Sequence, residues 1–273
     1  MKKTLIVLIM ALLAVTLIVS CEPEPKMFTV SFDSNGGTAV QAQTITDGEK
    51  VSEPTNPTKT GYIFQGWYDG DNAFDFSTAI TEDYTLKAKW KRLYVAGDTV
   101  NFGTYPANYA VDEDLRGDAV TWKVLSVDTA NSRMLVISER ILETDRQFNN
   151  SSSSSSYSGS SIQSYLRNEF ITKYGLSDVN MCNVDVTSAI ETTTVGSGSD
   201  KVFLLSKTEV ENTSYFADAA ARIAYYKENN SRSWWLRSAI GSYAYSVTSD
   251  GTFDGQGTPS YNGGLRPAFW VNF

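Results

Sequence analysis

The chemistry open to this chain is limited first by an absence, because its 273 residues include no histidine. Histidine is the usual general base and the commonest metal ligand, so Ser-His-Asp and Cys-His catalysis are excluded. Carboxylates and two cysteines, Cys21 and Cys182, remain. Glu139, Asp145 and Glu209 are scattered along the chain, and no spacing predicts that any two of them converge. We therefore expect neither catalysis nor a cofactor.

Two further carboxylates, Asp250 and Asp254, lie among glycines in the stretch SDGTFDGQG. Oxygen ligands of this kind suit Ca²⁺, but calcium takes about 6–8 of them, and the spacing is not that of an EF-hand. Asp-Gly is itself a strong turn signal. A turn is the favoured interpretation, and the pair is kept as a secondary candidate for a metal site.

The stretch RSWWLRSAI, residues 232–240, places two tryptophans beside an arginine. If it is a strand, alternation puts Trp234 and Leu236 on one face and Trp235 with Arg237 on the other. The first face is wholly apolar and is predicted to enter the core. The second pairs an indole with a guanidinium, as in a cation–π contact or at the edge of a ligand groove.

The closing stretch GGLRPAFWVNF repeats this pattern, with Arg266 and Trp270 set opposite apolar residues. Arginines inside hydrophobic strands are rare unless they have partners, so Arg237 and Arg266 are expected to pair with carboxylates. Internal pairing that serves the fold is the favoured interpretation. The alternative is a ligand-binding groove, for which the candidate residues are Trp235, Arg237, Arg266 and Trp270.

The N-terminus reads as a secretory leader, with Lys2 and Lys3 before an uncharged apolar stretch that ends at Cys21. The apolar stretch is close to the ~18 residues that span a bilayer, so an uncleaved anchor is the alternative. The ending IVSC resembles the bacterial lipobox, in which the cysteine is diacylated and becomes the new N-terminus. This resemblance implies a signal peptide at 1–20, lipidation of Cys21, a tether at 21–26, and a place in the cell envelope, at the outer membrane or cell surface.

Composition indicates a β-rich α+β fold. Hydrophobic residues at 41% and aromatic residues at 12% suffice for real cores, and strand-favouring residues are plentiful. The net charge of −8 gives no reason to bind nucleic acid or anionic lipid, both of which attract Lys/Arg patches. With Cys21 acylated, Cys182 is left alone and no disulfide is expected.

Residues 27–92 read as short strands separated by turns, such as the turn SNGG. The order F-x-x-NGG, P-x-K-x-GY-x-F-x-GWY and T-L-x-A-x-W is similar to the Listeria–Bacteroides repeat of the internalin B type. That resemblance implies a small β-grasp-like module that acts as a spacer or adhesive unit outside the cell. The aromatic residues of the segment are expected to form its core, because so small a domain needs them inside: Phe64, Trp67, Tyr68 and Trp90.

Residues 93–273 are predicted to form a larger α+β domain with a hairpin at 120–142, helices at 160–177 and 215–229, and a Ser-rich loop at 149–161. The motifs W-x-VL, FLLS-x-x-E, WWLRS and G-x-RPA resemble an uncharacterised domain of bacterial secreted proteins and lipoproteins. The closing strands also look like the end of the C-type-lectin-like fold of sulfatase-modifying enzymes. Those enzymes depend on a reactive cysteine pair, and Cys182 is alone here.

Together these patterns predict a lipid-anchored, non-enzymatic surface protein that uses its larger domain for adhesion or for capture of a protein or glycan ligand. Two alternatives stay open. One is a carboxylate-based hydrolase or modifying enzyme on a C-type-lectin-like scaffold, which requires carboxylates that converge in a cleft. The other is a purely structural component of the envelope.

Overall fold

The computed structural model describes residues 24–107, 112–150, 154–186 and 193–273. The leader and Cys21 lie outside the described residues. Contacts divide the chain between Leu93 and Tyr94 into two compact units, each with its own buried cluster. Within the described ranges, no helix is long and apolar enough to cross a membrane. β-sheet dominates both units, which confirms the predicted β-rich class.

The first unit is one five-stranded sheet of order β2-β1-β5-β3-β4. β1 and β5 run parallel, whereas the other neighbouring pairs are antiparallel. The strands are β1 (Met27–Asp33), β2 (Gln43–Thr46), β3 (Tyr62–Asp69), β4 (Asn72–Ala73) and β5 (Tyr84–Arg92).

The core of the first unit contains three of the four predicted aromatic residues. Trp67 is buried, and Phe64 and Trp90 are partly buried and pack against the cluster. Tyr68 is not part of this cluster, and its ring lies 4.0 Å from Lys89 Nζ. The reason is strand alternation, since Tyr68 directly follows the inward-facing Trp67 and so points to the other face.

The second unit contains two five-stranded sheets. The hairpin sheet has the order β12-β19-β8-β7-β6, is antiparallel throughout, and includes the hairpin predicted at 120–142. Its strands are β6 (Thr99–Thr104), β7 (Ala119–Asp128), β8 (Arg133–Ser138), β12 (Val202–Phe203) and β19 (Ala268–Asn272).

The tryptophan sheet has the order β17-β16-β15-β18-β9, and β15 runs parallel to β18. Its strands are β9 (Glu143–Gln147), β15 (Trp234–Ile240), β16 (Tyr243–Val247), β17 (Phe253–Gly257) and β18 (Asn262–Leu265). Two-stranded ribbons join β10 (Val184–Asp185) to β11 (Thr194–Val195) and β13 (Tyr225–Lys227) to β14 (Asn230–Ser231). Arg266 and Pro267 carry the chain from β18 in the tryptophan sheet to β19 in the hairpin sheet.

The helices are short. They are a 3₁₀ turn at Glu113–Leu115, α1 (Ser161–Tyr165), a π-helical turn at Leu166–Phe170, α2 (Ile171–Lys173), α3 (Lys207–Glu211) and α4 (Ala219–Arg222). The predicted helix at 160–177 is thus present, and Ser160 caps it by accepting a hydrogen bond from Gln163 N at 3.2 Å.

The prediction of a helix over 215–229 is wrong for most of that range. Only Ala219–Arg222 is helical, and Tyr225–Lys227 forms β13 instead. A chain reversal follows at once, with Asn229 in the left-handed region at φ 60°. Tyr225 and Tyr226 favour a strand, and the turn at Asn229 reverses the chain. These two local preferences outweigh the helical spacing of the apolar residues.

Candidate functional site

Arg237 serves the interior of the fold. It has no exposed surface, and its Nη1 donates to Glu209 Oε2 at 2.6 Å and to Leu204 O at 2.8 Å. Its prediction as a ligand-binding residue is therefore corrected, because an enclosed guanidinium cannot reach a ligand. The expected pairing with a carboxylate is present, and it joins the motifs FLLS-x-x-E and WWLRS.

Glu209 is held in place by the start of α3. Ser206 is the N-cap, and its hydroxyl accepts from Glu209 N at 3.1 Å while Glu209 Oε2 accepts from Ser206 N at 2.8 Å. This is a capping box, in which each residue satisfies the other's backbone donor. Glu209 Oε1 also accepts from Thr193 N at 2.7 Å. The motif FLLS-x-x-E is therefore a helix start that aims a buried carboxylate at Arg237.

Arg266 is buried as well, but its partners are not carboxylates. Its Nε donates to Ser138 O at 3.0 Å, and its guanidinium lies 5.0 Å from the ring centre of Trp234. Within the described chain it makes no ion pair within 4 Å, although the charge of Glu139 favours its protonated form. Burial dominates and lowers the pKa of Arg266 to about 10. Its prediction as a ligand-binding residue is corrected for the same reason as that of Arg237.

Trp270 lies on a different sheet from Trp235. It belongs to β19 of the hairpin sheet, where its ring is partly buried and 5.5 Å from the guanidinium carbon of Arg133. The four residues proposed from the sequence therefore do not converge on one surface. Trp235 alone of the four lines one of the pockets described next.

Trp235 forms the wall of a pocket of about 250 Å³ in the tryptophan sheet. Its indole Nε1 donates to Arg146 O at 2.8 Å, and its ring presses on two glycines. A Cβ at Gly257 or Gly263 would meet the ring at 2.8 or 2.4 Å. The strands can pack on the indole only because these positions lack side chains. Tyr261, which is 68% exposed, stands at the same pocket.

A pocket of about 190 Å³ adjoins the first, and a third pocket, of about 390 Å³, adjoins that one. The first and second share Asn262 in their linings, so they are contiguous. The second and third share Arg146, Asn150, Ser161 and Tyr165. We call these three neighbouring pockets together the polar groove. Its main side chains are Trp235, Tyr261, Asn262, Asp254, Asp145, Arg146, Gln147, Asn150, Ser161, Tyr165, Asn168 and Glu169.

A buried carboxylate, Glu143, organises the middle of the polar groove. It accepts hydrogen bonds from the Tyr165 hydroxyl and Arg146 Nε, and from Lys173 Nζ at 2.8 Å. The Arg146 guanidinium carbon lies 3.5 Å from the ring centre of Tyr165. The groove's arginine is thus already paired and stacked. No sequence pattern predicts this cluster, because its members come from β9 and from two helical turns that meet only in the folded domain.

The hydroxyl of Tyr165 is not an activated nucleophile. Burial and, after it, the negative charge of Glu143 raise the pKa of Tyr165 above its usual range. At neutral pH the phenol therefore keeps its proton and donates it to Glu143 in a hydrogen bond. The cluster is suited to fixing side chains in place.

Asp250 and Asp254 have separate surroundings. The Asp250 carboxylate accepts from the Thr248 hydroxyl, which has the largest influence, and from the N–H and hydroxyl of Thr252, and these bonds lower the pKa of Asp250 to about 2. Asp254 accepts from Gln256 N at 2.8 Å and lines the polar groove. In the part of the chain that is described, no group of three or more Asp, Glu or Cys side chains could hold a metal ion. Asp250 lies in a turn.

The larger unit matches a family model described as a domain of unknown function, DUF6273, over residues 131–273. That match covers more than half of the chain. The chain belongs to the DUF6273 family. The match includes every residue of the polar groove and the motifs FLLS-x-x-E, WWLRS and G-x-RPA. Ahead of the DUF6273 match, residues 28–89 match the Listeria-Bacteroides repeat domain, as the sequence motifs predicted.

Two curated relatives share part of the chain. A protein named "Putative membrane protein" from Evansella cellulosilytica is 38% identical over 87 residues, which is 30% of this chain and 13% of the relative. Internalin H of Listeria monocytogenes is 35% identical over 109 residues, which is 38% of this chain and 18% of the relative. The chain therefore matches less than a fifth of the length of these relatives.

Proposed function

We propose that this protein is a lipid-anchored, non-enzymatic protein of the cell surface, whose DUF6273 domain binds an oligosaccharide in the polar groove. The observation that carries the proposal is the groove itself, in which three contiguous pockets combine exposed aromatic surface with amide and hydroxyl side chains. The Listeria–Bacteroides repeat would be a β-grasp-like spacer between the membrane and a lectin-like domain.

The location is supported by two independent features. The leader ends in IVSC, as in lipoproteins, so Cys21 would be acylated and would hold the chain at the membrane. The relatives that share sequence with the chain are named as a membrane protein and an internalin. A place at the outer membrane or cell surface is consistent with both features. Envelope attachment would bring the polar groove to extracellular polymers.

The chemistry of the polar groove favours a neutral sugar over a charged ligand. Asn150, Asn262 and Gln147 can each donate and accept, which suits hydroxyl groups. The exposed ring of Tyr261 offers a flat apolar face against which the C–H face of a sugar can pack. Arg146 is already paired with Glu143, so an anionic ligand gains little there.

Binding of the purified protein to arrays of glycans and of extracellular-matrix proteins at physiological salt tests the proposal. We expect a neutral oligosaccharide to bind, and we expect Tyr261→Ala to weaken it about tenfold, as for other exposed aromatic anchors. Tyr243→Ala is the matched control, because Tyr243 is also exposed, at 46%, and is not among the groove residues.

Three results would contradict the proposal. One is the absence of any ligand above background on both arrays, and another is an equal loss of binding in the Tyr261 and Tyr243 variants. The third is release of a cleaved product from the bound oligosaccharide, which would point to a carboxylate-based hydrolase instead.

A further inference from the structure

A separate pocket, of about 630 Å³, lies on the Listeria–Bacteroides repeat. Two loops, 36–38 and 57–60, form its sides, and three rings, Tyr62, Phe64 and Trp90, complete it. We call it the Lys59 pocket after the one charged residue in its lining. Because it is built entirely from the repeat, its existence does not depend on the polar groove of the larger domain.

The walls of the Lys59 pocket are fixed by hydrogen bonds between its two loops. Thr38 N donates to Thr58 O at 2.9 Å, and Thr58 N donates to Thr38 Oγ1 at 3.0 Å. The indole of Trp90 donates to Ser34 O at 3.0 Å. Gly37 packs so closely on this ring that a Cβ there would meet it at 2.6 Å. The pocket is therefore preorganised, which lowers the entropic cost of binding a ligand.

Lys59 gives the pocket its charge. Its Nζ donates to Asn35 O at 2.9 Å and lies 4.5 Å from the ring centre of Tyr62, which leaves two of its three donors for other partners. Among the described residues it forms no ion pair, and the lining contains no Asp or Glu. In a chain with a net charge of −8, an unneutralised ammonium beside aromatic rings is a local exception that suits a negatively charged group.

The charge and the hydroxyl groups of the lining indicate which kind of anion the Lys59 pocket would bind. A single lysine acts as a point charge that can pair with a singly charged carboxylate, whereas planar, bidentate recognition of an anion favours arginine. Three threonines, Thr38, Thr58 and Thr60, add hydroxyl groups that can donate or accept.

We propose that the Lys59 pocket binds a carboxylated sugar, a hexuronate unit of an acidic polysaccharide. The carboxylate pairs with Lys59, the sugar ring packs on Tyr62 and Trp90, and the hydroxyl groups bond to the threonines. The repeat is then a binding module in its own right beside its role as a spacer.

The test is titration of the purified full chain with oligogalacturonate and with glucuronate-containing oligosaccharides, followed by the indole N–H signal of Trp90 in NMR spectra. We expect Lys59→Gln to weaken binding about tenfold or more, and Lys59→Arg to retain most of it, because the charge persists. Lys87→Gln is the matched control, since Lys87 is exposed on β5 and does not line the pocket. Methyl-esterified oligogalacturonate, in which the carboxylate is neutral, is expected to lose binding.

Four results would overturn the proposal: no binding of either uronate at millimolar concentration, equal affinity for the methyl ester, an equal effect of the Lys59 and Lys87 variants, or occupation of the pocket by an acidic peptide only. Tyr261→Ala separates this site from the polar groove, because it should leave uronate binding unchanged. Failure of the groove would therefore not be mistaken for failure of the Lys59 pocket.

Discussion

Arg237 and Arg266 are both buried in the DUF6273 domain, but at the residue level they are accommodated in different ways. Arg237 has a carboxylate partner in Glu209, whereas Arg266 lies against Ser138 O and the ring of Trp234. Burying a charge costs several kcal/mol unless partners offset it. The Arg237 pair should therefore be the more sensitive to loss of its partner.

Replacing Glu209 by Gln leaves Arg237 buried without a counter-charge. We expect Glu209→Gln to lower the free energy of unfolding by about 3 kcal/mol, in the range found when one member of a buried ion pair is removed. Urea unfolding followed by tryptophan fluorescence measures the change.

Glu211→Gln is the control from the same helix. Glu211 is partly exposed and pairs with Lys207 at i,i+4 on the surface, so its loss should cost less than about 1 kcal/mol. Similar losses in the two variants would show that the buried pair does not contribute as argued.

The sequence predicts half of this arrangement. Ser206 and Glu209 have the spacing of a capping box, which is a local pattern and can be recognised from the chain alone. Their link to Arg237 spans 28 residues and depends on where α3 meets β15, which no local pattern encodes. The same limit applies to Glu143, Tyr165 and Lys173 beneath the polar groove.

At the level of elements, the tryptophan sheet depends on glycines that let strands pack on an indole. Gly263 on β18 is paired with Arg146 on β9, and the Arg146 carbonyl accepts the indole N–H of Trp235. A side chain at this position would collide with the ring and with the donor atom of that hydrogen bond.

We expect Gly263→Ala to destabilise the protein by about 1–3 kcal/mol, as overpacking of a core does. A Cβ would lie 2.4 Å from Trp235 Nε1, so the indole must move and weaken its bond to Arg146 O. Urea unfolding and a shift in tryptophan emission report the two effects.

Asn262→Ala is the control on the same strand, because Asn262 is exposed. It should change stability by less than about 0.5 kcal/mol. An unaltered emission spectrum and wild-type stability in Gly263→Ala would contradict this account of β18.

The sequence predicts which side chains of one strand share a face, but it does not predict which distant strands pair. The β7–β8 hairpin follows from two apolar runs joined by a short turn. The pattern of WWLRS predicts a strand with Trp234 in the core, and the structure has both. Both faces of the strand are covered, however, so Arg237 is enclosed rather than exposed at a groove. Arg237 is covered by Leu204 and by Glu209 of α3, which only the tertiary structure brings to this face.

At the level of the whole molecule, the folding unit is longer than the family match. The match begins at residue 131, whereas the compact unit begins at Tyr94. The part of the compact unit that lies outside the match contains β6 and β7, and β7 pairs with β8 in the hairpin sheet. Trp122 of β7 is fully buried and packs on Phe269 with ring centres 4.6 Å apart.

We therefore expect the fragment 94–273 to fold alone and the fragment 131–273 to fail. Without β6 and β7, the edge of β8 and the apolar surface around Phe269 are exposed, and both promote aggregation. Circular dichroism, size-exclusion chromatography and a cooperative urea transition distinguish the two outcomes. A soluble fragment 131–273 that unfolds cooperatively would show that β6 and β7 are an accessory layer.

In the intact chain, the repeat has its own, much smaller core and should unfold in a separate transition. A single transition in the intact chain would show that the repeat and the larger domain stabilise each other.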